Sequence, residues 1–219
     1  MLSYQFMQVA FLVGIALAVA LALLGQTLVL RRLSPIGDAL SHGSLAGVSA
    51  GLVLGMNPTI AAVIVTVIFA FGIEFFRRLF PRYGEIATSV IMSFGIGLAG
   101  ILQSKSAGQA SLTSFLFGSL VAIPPIERNL VLGICAVVII LCIVLREHYM
   151  SLTFDSANAQ IQGIKVNCMQ GLFTLMTALT IAAGARTAGT LVVSSLMVIP
   201  FAGTYADDGT VSKDQARAS

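Results

Sequence analysis

"SPIGDALSHGSLAGVSAGLVLG", residues 34–55, is the stretch from which the rest of the chain can be read. Ser34 supplies a capping hydroxyl and Pro35 sits where a first turn tolerates proline, so a helix start is well marked. Ala39, Gly43, Gly47, Gly51 and Gly55 then recur at every fourth residue, beside a second small row at Ala46 and Ala50. Glycine costs about 1 kcal/mol of helix propensity against alanine, so repeating it implies another backbone pressed against this face. Gly43, Gly47, Gly51 and Gly55 are therefore read as helix-packing residues, and the helix as enclosed by protein rather than bathed in lipid. A tight helix pair would by itself account for the row.

Outward from this helix the composition places the chain in a bilayer. Of 219 residues, 57% are hydrophobic and 10% charged, and there is no tryptophan. That leaves too little polar surface to cover a water-soluble globule. Apolar stretches at 6–30, 35–56, 58–76, 86–103, 129–146, 168–184 and 188–203 predict seven spans of an all-α polytopic bundle. Residues 1–30 carry no charge and run longer than a signal peptide, so a retained first span is expected. With the amino terminus outside, Arg31, Arg32, Arg77, Arg78, Arg82, Arg146, Lys165, Lys213 and Arg217 face the cytoplasm, against Lys105, Arg128 and Arg186 outside. The positive-inside tendency favours that orientation. The fourth span shows a shorter small row at Ser89, Ser93 and Gly97. Cys135, Cys142 and Cys168 are scattered without disulfide or finger spacing, and Cys135 and Cys142, seven apart on one face, are read as packing residues. With no basic–aromatic patch, nucleic-acid binding finds no support.

Asp38 and His42 stand at i and i+4 and share one helix face. They fall roughly 5 and 11 Å along the span, in its inner half. An ionised aspartate in hydrocarbon is costly unless it meets a partner, a cation or water, so such acids face a pathway or a bundle interior. Carboxylate and imidazole suit zinc, and also manganese or ferrous iron, and two ligands on one helix make the weak site that passage of an ion requires. Proton relay is the competing chemistry. The bland alternative is Asp38 solvated at the interface or paired with Arg31 or Arg32, with His42 bonded to a backbone carbonyl. Glu74, Glu85, Glu147 and His148 flank basic connectors and are read as solvated interface residues.

Two connectors stand out. Residues 106–129 are expected to form an external loop with a half-buried helix, stopped by Pro124 and Pro125. Residues 146–167 form the longest polar insertion on the cytoplasmic side, where Asp155 can cap a short helix that Gly163 closes. So little apolar surface lies on that helix that docking must steady it. No phosphate-binding GxxxxGK[ST] loop, HExxH or GxSxG element occurs, so the chain is not expected to be an enzyme.

"LVLRRLSPIGDALSHGSLAGVSAGL", "SFLFGSLVAI", "TFDSANAQIQGIKV" and "GTLVVSSLMVIP", in this order, resemble the permease subunits of bacterial zinc and manganese ABC importers, over residues 1 to about 203. "SLAGV" is closer in wording to the zinc permeases of Gram-positive bacteria. The resemblance implies a multi-pass protein of the bacterial plasma membrane, working as a second permease copy's partner with cytoplasmic ATP-binding subunits and an extracellular metal-binding protein. ATP hydrolysis would lie on the separate subunits, and no cofactor would be held permanently, only transported zinc, manganese or iron. Asp38 and His42 match the residues thought to contact the ion, and Phe154, Asp155, Ala159 and Gly163 match the coupling helix that fits the ATPase. Residues 1–203 would form the permease domain. Beyond Pro200 "FAGTYADDGTVSKDQARAS" departs from the family pattern, so residues 204–219 are expected to be a disordered polar tail of a truncated or frame-shifted permease. An ATP-independent ion-coupled carrier, or a non-transporting membrane scaffold, is the alternative.

Overall fold

The computed structural model describes residues 5–30, 33, 35–80, 83–105, 125–146, 149 and 166–207. Among these it contains seven long helices and no strand: α1 (Gln5–Leu30), α2 (Pro35–Leu54), α3 (Pro58–Leu79), α4 (Gly84–Lys105), α5 (Pro125–Val144), α6 (Val166–Thr187) and α7 (Thr190–Asp207). The seven expected spans each coincide with one helix, with ends displaced by a few residues. The displacement at the start of α5 has a clear cause: Pro125 opens α5 instead of stopping the segment before it, because a proline in a first turn forfeits no helical hydrogen bond. At the far end α7 runs to Asp207, past the expected limit at 203.

α2 is the hub, flanked by α3, α4, α6 and α7, while α1 lies against α5, α6 and α7. Residues 36, 37, 39–41, 43–49 and 51 of α2 are buried. α1 buries a stripe of Val13, Leu17, Ala20, Leu21, Leu24 and Leu28 at helical spacing and turns Phe11, Leu12, Ile15 and Val19 outward. α5 does the same with Val131, Cys135 and Val138 inward and Val137, Ile140 and Val144 outward. Cys135 is thus part of the core, and Cys142 packs against its edge.

Met7–Leu30, Pro58–Leu79, Gly84–Lys105 and Glu127–Val144 are long and apolar enough to cross a membrane on length and composition alone. α2 falls short because glycines, serines, Asp38 and His42 dilute its apolar content, and α6 carries an apolar stretch over Met169–Ala185. Both are sheltered by other helices. In α6 the hydroxyls of Thr174, Thr177 and Thr180 donate to carbonyls four residues back, at 2.9–3.0 Å, so the helix carries polar side chains without orphan donors.

Between α2 and α3 the chain turns tightly. Gly55 lies just past Leu54 with φ +67°, and a Cβ there would meet nothing within 4 Å. Gly55 is therefore not a packing residue. It is the left-handed residue that ends the helix, a conformation glycine adopts without penalty. The side chain of Asn57 then caps α3, accepting from the Thr59 N–H at 3.0 Å, with Pro58 in the first turn.

Candidate functional site

The glycine row of α2 sets the position of the candidate site. A Cβ on Gly47 would lie 2.7 Å from Cα of Ala62 and 2.9 Å from the Ala61 carbonyl, and one on Gly51 would lie 2.8 Å from Cβ of Ala61. At Gly43 the neighbour is the Phe69 ring, at 2.9 Å. α2 and α3 therefore meet backbone to backbone at their outer ends, and through an aromatic spacer nearer the middle.

Phe69 also touches α4. A Cβ on Gly95 would come within 2.9 Å of the same ring and 3.5 Å of the backbone of His42 and Gly43. Phe69 is 7% exposed and pairs with Phe94 at 6.0 Å between centroids. The α2 turn that carries His42 is thus held from two sides. One turn earlier Gly37 rests against Sδ of Met197 on α7, 3.2 Å from where its Cβ would be. Met197 also lies against Gly25 of α1.

On this gripped scaffold His42 is half-buried and Asp38 is exposed, within electrostatic reach of one another. They remain on the open side of an otherwise enclosed helix. Among the described residues Asp38 makes no ion pair; Arg31 and Arg32, its alternative partners, lie outside them. No group of three or more His, Cys, Asp and Glu comes together among the described residues. Two ligands leave half of a tetrahedral ion's coordination to water or to another chain. A carboxylate oxygen and an imidazole nitrogen, exposed and half-exposed, can nevertheless bind and release a borderline divalent ion.

Sequence reasoning missed Ser41 and Ser44, whose buried hydroxyls have no hydrogen-bond partner among the described residues. Ser44 points to the side of α2 opposite His42, so it does not extend the Asp38–His42 face. Their signal was present in "ALSHGSL", where serines interrupt an apolar run without a capping role.

Two sequence expectations are corrected. Glu74 is not solvated: it is 5% exposed, accepts from Nε of Arg78 at 3.0 Å and lies 3.5 Å from Arg77. Glycine-poor α3 turns this carboxylate inward, and the two arginines compensate its charge locally. In α4 the row Ser89, Ser93 and Gly97 faces outward, with both hydroxyls donating to carbonyls four residues back, whereas Thr88, Ile91, Gly95 and Ala99 are the buried residues. Glu85 is exposed. Phe154, Asp155, Ala159 and Gly163, as well as Glu147 and His148, lie outside the described residues.

A family model described as "ABC 3 transport family" matches residues 3–210. The chain is 33% identical over 199 residues to the high-affinity zinc uptake system membrane protein ZnuB of Haemophilus influenzae, covering 88% of this chain and 74% of that one. It is 26% identical over 213 residues to the manganese transport system membrane protein MntC of Listeria monocytogenes, covering 97% and 76%. A chain of PsaBC from Streptococcus pneumoniae in complex with Fab shares the fold, with TM-score 0.79 at 24% identity over 93% of this chain and 73% of that one.

Proposed function

Because the chain belongs to the ABC 3 transport family and is a multi-pass membrane permease, we propose that it forms the membrane path of an ATP-driven importer of divalent metal ions, with zinc preferred. The observation that carries this reading is the exposed Asp38 carboxylate one turn from the half-buried His42 imidazole, on a helix otherwise enclosed by protein. A charge in that position is costly in hydrocarbon and is neutralised by a passing dication. His42 supplies a borderline nitrogen that favours zinc over the hard alkaline-earth ions, while Asp38 supplies the charge. With only two side chains the hold is loose enough for the ion to leave.

The remaining coordination falls to water and to a second permease copy facing the first. ATP hydrolysis belongs to cytoplasmic subunits that dock on the segment containing Phe154, Asp155, Ala159 and Gly163, and an extracellular metal-binding protein delivers the ion. The names of the relatives support both zinc and manganese, so the choice of ion rests on the imidazole.

The test is uptake of radioactive zinc into proteoliposomes holding the permease with its ATPase subunits, with manganese as the second arm. Asp38→Ala is expected to lower uptake by a factor of about ten or more, the value of one lost charged contact of about 1.4 kcal/mol or above. His42→Ala should reduce metal stimulation of ATP hydrolysis more than Glu85→Ala does. Uptake that proceeds without the ATPase would establish an ion-coupled carrier instead, and equal effects of His42→Ala and Glu85→Ala would return His42 to a packing role.

A further inference from the structure

Glu74 is a carboxylate buried within a membrane-spanning helix, where an apolar side chain would be cheaper for stability. Its Oε1 accepts the Arg78 hydrogen bond, but Oε2, 3.5 Å from Arg77, has no hydrogen-bond partner among the described residues. The carboxylate borders a cavity with room for about one water, lined by Ala70 and Phe71 of α3 and by Gly171, Thr174 and Leu175 of α6. The guanidinium of Arg78 reaches across as well, 3.5 Å from where a Cβ on Gly171 would sit. The Glu74–Arg78 pair thus belongs to the contact between α3 and α6, although both residues are on α3.

The place of that contact in the chain gives it meaning. α6 begins at Val166, immediately after the segment read as the ATPase-docking helix. At its other end α3 packs against the glycine row of α2, the helix that carries Asp38 and His42. α6 packs on both α3 and α2, and the contact at Glu74, Arg78 and Gly171 is where a displacement passed to it from the docking segment meets α3. A buried ion pair with one unsatisfied oxygen has a small number of discrete satisfied arrangements, so a contact that contains one switches between them.

We propose that Glu74, held by Arg77 and Arg78 against Gly171, is a positioning residue that transmits ATPase docking from α6 through α3 to the Asp38–His42 face. This rests on the importer reading above. Glu74 touches no ion, and the net positive charge of its cluster would repel one. Its effect is on how much transport each hydrolysis event yields.

The experiment uses the complete complex in proteoliposomes and measures zinc moved per ATP hydrolysed. Glu74→Gln keeps the shape and removes the charge; the ratio is expected to fall by about fivefold or more, the lower end of measured coupling effects, while ATP hydrolysis stays near the wild-type rate. Exchanging the pair, Glu74→Arg with Arg78→Glu, should restore part of it. Gly171→Leu, which leaves both charged residues in place but pushes Arg78 off α6, should lower the ratio as Glu74→Gln does. Uptake and hydrolysis falling in step, or an unchanged ratio in both Glu74→Gln and Gly171→Leu, overturns the proposal. A second readout needs no transport: cysteines replacing Ala70 and Leu175 across the cavity, in a background without Cys135, Cys142 and Cys168, are cross-linked with and without docked ATPase and nucleotide. The cross-linking rate should respond to nucleotide with Glu74 present and not with Glu74→Gln; a response in both, or in neither, overturns the proposal. A wild-type complex that hydrolyses ATP without moving zinc would sink the importer reading alone, because the cross-linking result still decides the role of Glu74.

Discussion

Along α1 the buried stripe is Leu17, Leu21, Leu24 and Leu28, whereas along α2 the residues that meet α3 are Gly43, Gly47 and Gly51. In the leucine seam, flexible side chains fill the space between helices and can adjust to one another, except at Gly25, where the backbone of α7 at Met197 comes close. In the glycine seam Gly47 and Gly51 meet backbone atoms, Cα of Ala62, the Ala61 carbonyl and Cα of Pro58, which cannot yield without moving α3, and Gly43 meets the Phe69 ring. The difference tracks what each helix carries. α1 bears no charged side chain and needs only to be covered. α2 presents Asp38 and His42, whose placement depends on a helix that does not drift.

Substitutions can break or sharpen this contrast. Gly47→Leu should have the largest effect, about 3 kcal/mol or more, because the added side chain meets the backbone of Ala61 and Ala62 and Cβ of Val65; loss of monodisperse protein in detergent is the readout. Leu21→Ala should cost about 2 kcal/mol, toward the low end for a buried leucine because lipid rather than water is the alternative surroundings, measured as a lowered thermal unfolding midpoint. Gly43→Ala should cost about 1.5 kcal/mol, since the added carbon falls 2.9 Å from Cγ and Cδ1 of Phe69 and the ring must give way although Gly95 lies against it as well. Gly97→Ala should fall within about 0.5 kcal/mol of the wild type, as nothing lies within 4 Å of the added carbon. If Gly47→Leu were tolerated as well as Gly97→Ala, the rigid character assigned to the α2–α3 seam would be wrong.

Most of the architecture was legible because hydrophobic runs of span length have one stable reading in a bilayer. The four-residue glycine period revealed which face of α2 meets another backbone, and the i, i+4 spacing put Asp38 and His42 together. Period alone could not say where the helix ends, so Gly55 was counted with the packing row although its backbone is left-handed. Nor could it separate a small residue that lets a helix approach from one whose hydroxyl is content with its own carbonyl, as at Ser89 and Ser93. Glu74 was misread for a related reason: acids near basic connectors look solvated in a sequence, and the approach of α6 at Gly171, which takes this one out of bulk solvent, is a tertiary contact.

The tight turn at Gly55 and Asn57 also bears on biogenesis. With only Gly55, Met56 and Asn57 between them, α2 and α3 emerge from the ribosome as a hairpin, and α2 is the less apolar of the two. A segment carrying an aspartate and a histidine partitions poorly into lipid by itself, but its apolar partner can draw it through the translocon as one unit. Lengthening that turn with a flexible linker would make each helix partition alone, leaving α2 stranded on the cytoplasmic side even though Asp38 and His42 are intact.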